Sequence, residues 1–550
     1  MRDLTPGNLM IDGEQLSMID PEFFARAGEL VSPAFTFGYA LLSTIRVTGI
    51  APAGGDEYNL GMCIAYLTTG VEPPIITEST SDDLANQVLV EWLDLLTNKY
   101  SLAAFHEPSI RRFLGLPLRE PEGTRLSLDR RAASADDDAA NEGAIRMVRS
   151  VLEDSIENLI EVDWEETRHN GETPWRVDNS GTTTGDHASV QTGFGEVIQI
   201  LADLTTTPSA TKEAEQCLSN SVQWLIRALP WKQGRTLPGL YFGRSGTAWA
   251  LASASQALGD PGIRKVARQL LISAPIQWNN PDMTHGLSGL GTAHLAVLRQ
   301  TGDSVLEKRA KILADRVLQR ADLVNGEMVW PIRQTQPNID SDQTHLGFGH
   351  RVAGMGQFLL DAADYFGDTQ YLEMASAAFR TLKGRAVHRP SGAINWPIGV
   401  LEGADNESLV RWWCSGSGGI GEFMVRYGAI SGDLEAKALA RGAARACAEE
   451  DMSLMPGHCH GISGNAQLFL DMAEFDTPGA FRNESIHSAR TLANHRIADD
   501  GRFVFGNDSG NRMSVSYGQG VTGPMAFLMR LLYRTPRPFT WNPSPKGSFR

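Results

Sequence analysis

Two thiols and an imidazole are the side chains of this sequence best suited to chemistry. Cys414 stands in Arg411-Trp-Trp-Cys-Ser-Gly-Ser-Gly-Gly-Ile-Gly421, and Cys459 and His460 are adjacent in His458-Cys-His-Gly-Ile-Ser-Gly464. Glycine crowds both stretches and allows close approach of the backbone. Thiolate and imidazole are zinc ligands. Three protein ligands leave the fourth tetrahedral position for water or substrate, the arrangement of a catalytic rather than a structural site. The same residues are equally consistent with two small buried cysteines in loops between helices. His458, two residues before His460, is a further candidate ligand. What separates the readings is whether the chain brings positions 414 and 459 together.

The elements that must do so repeat. From about residue 180, a small-residue turn with glycine followed by an apolar helix recurs as Gln191-Thr-Gly-Phe-Gly195, Gly243-Arg-Ser-Gly246, His285-Gly-Leu-Ser-Gly289 and His350-Arg-Val-Ala-Gly354. It continues as Cys414-Ser-Gly-Ser-Gly-Gly419, His460-Gly-Ile-Ser-Gly464 and Gly520-Val-Thr-Gly523. Amphipathic helices such as 305–318 lie between, so each repeat is a helical hairpin. Irregular spacing points to a closed ring rather than an open solenoid. The fold expected is mainly α: an α/α toroid of seven helical hairpins, with the turn side chains around one mouth. Cys414, Cys459 and His460 come from successive turns and would meet there. Cys217 and Cys447 fall on amphipathic helical stretches and read as packing residues, as do Trp249, Trp396, Trp412 and Trp413, although aromatics on the rim could hold a peptide.

Composition narrows the setting. At 550 residues, more than one domain is expected. Acids outnumber bases by 65 to 49, for a net charge of −16, which argues against nucleic acid and anionic membranes as partners. Five widely spaced cysteines do not suit a disulfide framework, so a reducing, cytoplasmic setting is expected. No apolar run is long enough for a membrane span, and the N-terminus lacks the apolar core of a signal peptide.

The segment before the repeats reads differently. In Arg2-Asp-Leu-Thr-Pro-Gly-Asn-Leu9, Asp3 and Asn8 match in type and spacing the Asp and Asn of a protein-kinase catalytic loop, and Asp20 in Ile19-Asp-Pro-Glu22 matches the magnesium-binding Asp that follows it. With the helical stretch opened by Asp56-Glu-Tyr-Asn-Leu-Gly61, residues 1–117 resemble a partial protein-kinase-like C-lobe. Met1 stands where the usual His precedes Arg-Asp, and Pro21-Glu22 replaces Phe-Gly. The parts that cradle ATP (glycine-rich loop, strand lysine, partner glutamate) are not found. ATP and Mg²⁺ are therefore expected only if a kinase N-lobe is supplied elsewhere. The polar stretch 118–142 reads as a linker, and 143–550 as the toroid domain.

Trp-Cys-x-Gly and Cys-His-Gly at this separation, within a sevenfold array of glycine turns, resemble the LanC-like cyclase domain of lanthionine synthetases. With the kinase-like lobe ahead of it, the chain resembles the C-terminal part of a kinase–cyclase lanthipeptide synthetase. Its three zinc ligands favour the class IV type over the class III type, which lacks them. A complete member would also carry a phospho-Ser/Thr lyase and a kinase N-lobe, neither of which is found in this sequence. The resemblance implies that Cys414, Cys459 and His460 bind Zn²⁺, that Asp282 matches a catalytic Asp, and that His350 matches the proposed catalytic His. His285, also in a His-Gly turn, competes for the acid role, and Asp282 could instead cap a helix. Arg351 stands where Gly is usual. Arg411 is one position out of register with an Arg that precedes the first Cys, and Ser415 replaces an aromatic that often follows it.

The implied reaction adds a Cys thiol of a precursor peptide, with its leader and dehydrated core, across dehydroalanine or dehydrobutyrine. The precursor is the expected partner, together with a separate dehydratase, lyase or kinase N-lobe. Two other classes compete. One is a Ser/Thr kinase part of a split synthetase, to be recognised by ATP binding. The other is a non-catalytic peptide-binding toroid or a toroid glycosidase. A glycosidase needs facing carboxylates, and no such pair stands out in the turns.

Overall fold

The computed structural model describes residues 4–12, 15–18, 25–30, 36, 38–41, 50–51, 53–74, 76, 81–118, 135–165, 167, 173–175, 186–229, 236–331, 345–399, 408–449, 455–499, 502–506 and 514–541. The chain divides into two compact units, Met1–Asp154 with Ala489–Met513, and Ser155–Ser488 with Ser514–Arg550. These bounds differ from those read along the sequence. Of the expected linker, 119–134 lies outside the described residues, while the helix Ala135–Ile160 begins before residue 142. Residues 489–513 belong to the first unit although they sit between two turns of the second, a return that contiguous reading has no means to find.

In the first unit, the helices Gly55–Thr69 and Asp82–Lys99 both pack on Ser101–Phe113. A Cβ at Gly61 would lie 2.9 Å from Phe113 Cβ, so glycine sets that approach. Buried Arg111 pairs with Glu107 at 2.7 Å and Asp94 at 2.8 Å. Two hairpins complete the unit, Leu9–Asp12 with Gln15–Met18 and Arg496–Asp499 with Arg502–Phe505. Arg496 reaches Glu91 at 3.1 Å. Of the kinase-like residues, Asn8 ends the 3-10 turn Pro6–Asn8, whereas Asp3 and Asp20 lie outside the described residues.

The second unit is a ring. Its inner helices are Gly195–Leu204, Arg244–Leu258, Leu287–Thr301, Val352–Phe366, Ser417–Ser431, Ile462–Phe475 and Thr522–Tyr533. Each follows one of the seven glycine turns. Each packs on the next, and the last packs on the first, which closes the ring. Sequence separates inner from outer helices. The inner helix Leu287–Thr301 is buried from Leu287 through Leu298, whereas its outer neighbour Pro261–Ser273 buries Ile263, Ala267 and Leu271 along one stripe. Four inner helices end on left-handed glycines (Gly259, Gly302, Gly367, Gly432), and each is followed by an Asp whose carboxylate takes a backbone N–H two residues on. Stop and start signals thus share one Gly-Asp pair.

Charge is buried between the inner helices. Asp471 accepts from Arg426 at 3.2 Å, is paired with Arg530 at 2.7 Å, and also accepts from Arg537. Arg537 donates to Glu422 at 2.6 Å, and the same carboxylate oxygen accepts from Trp413 Nε1 at 2.9 Å. The C-terminal stretch carrying Arg537 also brings Phe539 against Tyr241 and Trp249, and Trp541 Nε1 to Asp364 at 3.0 Å. Among the described residues, no helix is long and apolar enough to cross a membrane.

Candidate metal centre on a belt of turns

One residue of each turn builds the scaffold of the site: Gln191, Tyr241, Thr284, Gly349, Cys414, Cys459 and Gly518. The backbone N–H of each donates to the carbonyl of the same residue in the next turn, at 2.8–3.3 Å, and Gly518 donates back to Gln191. Seven bonds of one direction make a closed belt and satisfy backbone groups that the turns would otherwise bury unpaired. Two residues further on, six turns carry glycine (Gly193, Gly243, Gly286, Gly416, Gly461, Gly520). A Cβ at Gly286 would lie 2.2 Å from the Asn280 carbonyl oxygen. In the fourth turn Arg351 takes this place with φ −175°, an extended backbone open to any residue.

Chemistry occupies two consecutive positions of this belt. Cys414 and Cys459 are belt residues of the fifth and sixth turns, and His460 follows the second of them. Their ligand atoms lie within 4.8 Å of one another, both cysteines are buried, and His460 is half-buried. The Cys459 Sγ to His460 Nε2 distance is 3.7 Å, close to the edge of about 3.6 Å that zinc imposes between a sulfur and a nitrogen ligand. The residues fit zinc. The Cys414 thiol is held well below its ordinary range by contact with Cys459, which outweighs burial, and by the bonds and charge of His460 and His350. Trp412 meets His460 edge-on at 4.8 Å and fixes the ring.

The third and fourth turns carry a second cluster. His285 and His350 occupy the position of His460, and Asp282 lies two residues before Thr284 of the belt. Asp282 Oδ1 takes the backbone N–H of His285 at 2.6 Å, and Asn280 Nδ2 donates to Oδ2 at 3.0 Å. Oδ2 also faces both imidazoles, 3.4 Å from His285 Nδ1 and 3.5 Å from His350 Nδ1. Asp282 therefore holds its turn and addresses the histidines, while Gly286 is the N-cap of the helix. Burial would raise the Asp282 carboxyl, but hydrogen bonds and charge from His285 and His350 overcome it and leave the pKa low. Burial would lower His350. Its bond to Asp282 and the charges of Asp282 and Cys414 overcome that and raise it.

Not every sequence-based expectation falls here. Arg411 contributes its carbonyl oxygen, which accepts from Gly418 N–H at the base of the fifth turn. His458 falls outside the Cys414–Cys459–His460 group. Fully buried, it stacks on Tyr517 at 4.1 Å and packs against Trp413 at 4.8 Å, and burial pushes its pKa well down. Cys217 packs in an outer helix, and burial raises its thiol to about 11. Sequence reading missed Thr284. Its hydroxyl lies 2.8 Å from His285 Nδ1, 3.0 Å from His350 Nδ1 and 3.4 Å from Asp282 Oδ2. Only the fold identifies it, because a Thr beside a His carries no signal of its own.

A closed ring of helical hairpins with a Cys₂His set on its turns defines a class, and this chain belongs to the lanthionine synthetase C-like protein family, whose sequence pattern matches residues 197–542. Among curated proteins it is similar to a probable SapB synthase of Streptomyces coelicolor, 24% identical over 326 residues, which cover 59% of this chain and 33% of that protein. The match thus spans about a third of the relative's length. Among solved structures it is similar to nisin cyclase, with a TM-score of 0.54 and 16% identity, covering 70% of this chain and 94% of that one. The likeness establishes the shared fold.

Proposed function

We propose that this chain is the cyclase portion of a lanthipeptide synthetase and adds peptide Cys thiols to dehydroalanine or dehydrobutyrine, closing thioether rings. One observation carries the reading: a Cys₂His ligand set and a carboxylate–imidazole pair on adjacent turns of one belt. Zinc held by Cys414, Cys459 and His460 would lower the pKa of a thiol entering the remaining position. Cys414 and Cys459 as cysteinates, with His460 neutral, would balance the charge of a dication held there. The thiol gives its proton to solvent, its sulfur bonds the β-carbon as the Cα=Cβ π pair shifts into an enolate, and the enolate takes a proton at the α-carbon. His350, whose pKa Asp282 helps to raise, donates it. With its own pKa lowered, Asp282 is a poor base and serves to orient and charge the imidazole. Arg411 keeps its assignment from the resemblance alone.

The substrate is a precursor peptide with a leader and a dehydrated core, so dehydration must be supplied by a dehydratase, a lyase or a completed kinase. Residues 1–117 enter the proposal as a partial kinase-like C-lobe in which Asp3, Asn8 and Asp20 would serve ATP and Mg²⁺ only beside an N-lobe from elsewhere. Five free cysteines support a reducing, cytoplasmic setting. The test pairs metal analysis with a dehydrated Cys-containing peptide whose free thiols are counted by alkylation and mass spectrometry. About one equivalent of zinc and loss of alkylatable thiol are expected. Thiols left free by the zinc-loaded chain would overturn the reading.

A further inference from the structure

We propose that Asp282, His285 and His350 form a second divalent-cation site, distinct from the cysteine centre, whose occupancy shuts the acid–base side of the belt. Their ligand atoms lie within 4.8 Å of one another. Asp282 Oδ2 stands 3.4 Å from one imidazole Nδ1 and 3.5 Å from the other. Oxygen and nitrogen ligands at zinc's ordinary bond lengths stand about 3.3–3.4 Å apart on a tetrahedral edge. The two carboxylate–imidazole edges therefore match those of such a site. Thr284 Oγ1 hydrogen-bonds both nitrogens, at 2.8 Å and 3.0 Å, and donates to the Gly349 carbonyl at 3.1 Å, so it holds the two rings toward the carboxylate.

The three ligands are also held from behind. Asn280 and the His285 N–H fix the carboxylate, and Phe242 lies parallel to the His285 ring at 4.5 Å. Supports of this kind orient first ligands and strengthen binding. The site is open to solvent on one side, since the His285 and His350 side chains are 30% and 37% exposed while Asp282 is 2% exposed. Arg351, the next residue along, turns its guanidinium toward the Trp330 carbonyl at 3.5 Å.

One carboxylate and two neutral imidazoles suit zinc, cobalt or nickel. They lack the soft thiolates of the fifth and sixth turns and bind such ions more weakly. The cysteine centre should fill first and this site only in excess metal. A cation here takes the lone pairs that otherwise receive protons, so cyclisation stops.

Cobalt(II) separates the two sites by colour, because only thiolate ligation gives strong near-ultraviolet charge transfer. Titrated into the full chain, cobalt should bind as two equivalents, the first with thiolate bands and the second adding only weak visible absorption. His285→Ala should keep the first equivalent and lose the second, and Cys459→Ala should do the reverse. Saturation of the wild-type chain at one equivalent, or a second equivalent that survives His285→Ala, would overturn the site. Absent thiolate bands beside an intact second equivalent would instead remove the cysteine centre and leave this inference standing. Zinc beyond the first equivalent should slow cyclisation at least about tenfold, with recovery on adding a chelator of modest affinity.

Discussion

The two clusters stand on one scaffold and differ in what they can hold. Cys414 and Cys459 put sulfur on the belt residue itself, whereas the third and fourth turns have Thr284 and Gly349 there and place imidazoles one residue later. Around the cysteines, the close polar neighbours are His460 and Ser415. Around the histidines, a hydroxyl and a carboxylate bridge both rings. One arrangement gathers soft donors suited to a metal, and the other is, in the proposed reaction, the proton donor. A single backbone device, repeated seven times, leaves the choice of chemistry to side chains on the belt residue, on the one after it and, for Asp282, two before it.

The sharpest way to break that contrast is Cys459→Ala. It should abolish zinc binding and reduce cyclisation to the uncatalysed background while leaving the imidazole cluster intact. Metal analysis beside the thiol-alkylation assay checks both arms. Full zinc content in the variant would mean that the sixth turn does not ligate. Next in size, His350→Asn should cost about 10²- to 10⁴-fold in kcat with zinc content unchanged, the usual scale of general acid catalysis. A variant that loses zinc as well would show that the clusters are one site rather than two.

How much of this could be read without the fold varies by residue. Cys414, Cys459 and His460 read alone are equally consistent with buried loop cysteines; the repeat, which puts 414 and 459 on successive turns, is what made them legible. The seven turns were legible for a related reason: each needs glycine where a Cβ would strike a carbonyl, as at Gly464, 1.9 Å from the His458 oxygen. The belt was not legible, because its bonds are made by backbone atoms that every residue has. Thr284 was hidden for the same reason that Asp282 was ambiguous: a short polar side chain before a helix satisfies many roles until its neighbours are known. His458 stayed a secondary candidate in the sequence because its type suits a metal; its neighbours Trp413 and Tyr517, distant in sequence, pack it in the core.

A third change should fail to separate the clusters. Asp471→Ala strips the shared carboxylate from Arg426, Arg530 and Arg537, all buried, and leaves Glu422 and Glu474 to balance three guanidinium charges. Breaking a buried ion cluster in this way costs about 3–5 kcal/mol. The variant should melt well below the parent, with zinc release and loss of cyclisation following the same thermal transition. Retention of one function through that transition would mean that the ring is not a single support.

The smallest effect sharpens the contrast most. Asp282→Asn removes charge from the imidazole side and leaves every cysteine ligand in place. His350 must be protonated to donate, so the rate falls as pH rises through its pKa. Because Asp282 helps to hold that pKa above the ordinary value, the alkaline limb of the wild-type profile lies high, and removing the charge moves it toward lower pH. A shift of about 1–3 units is the scale for an opposite charge at this distance. Below both limbs, the two proteins should differ little. Near neutral pH the variant should be slower by about ten- to a hundredfold, and the difference should shrink as the solution is acidified. A uniform loss at every pH would make Asp282 a structural brace for its turn through the His285 N–H, and would leave the protonation of His350 to Thr284 and His285.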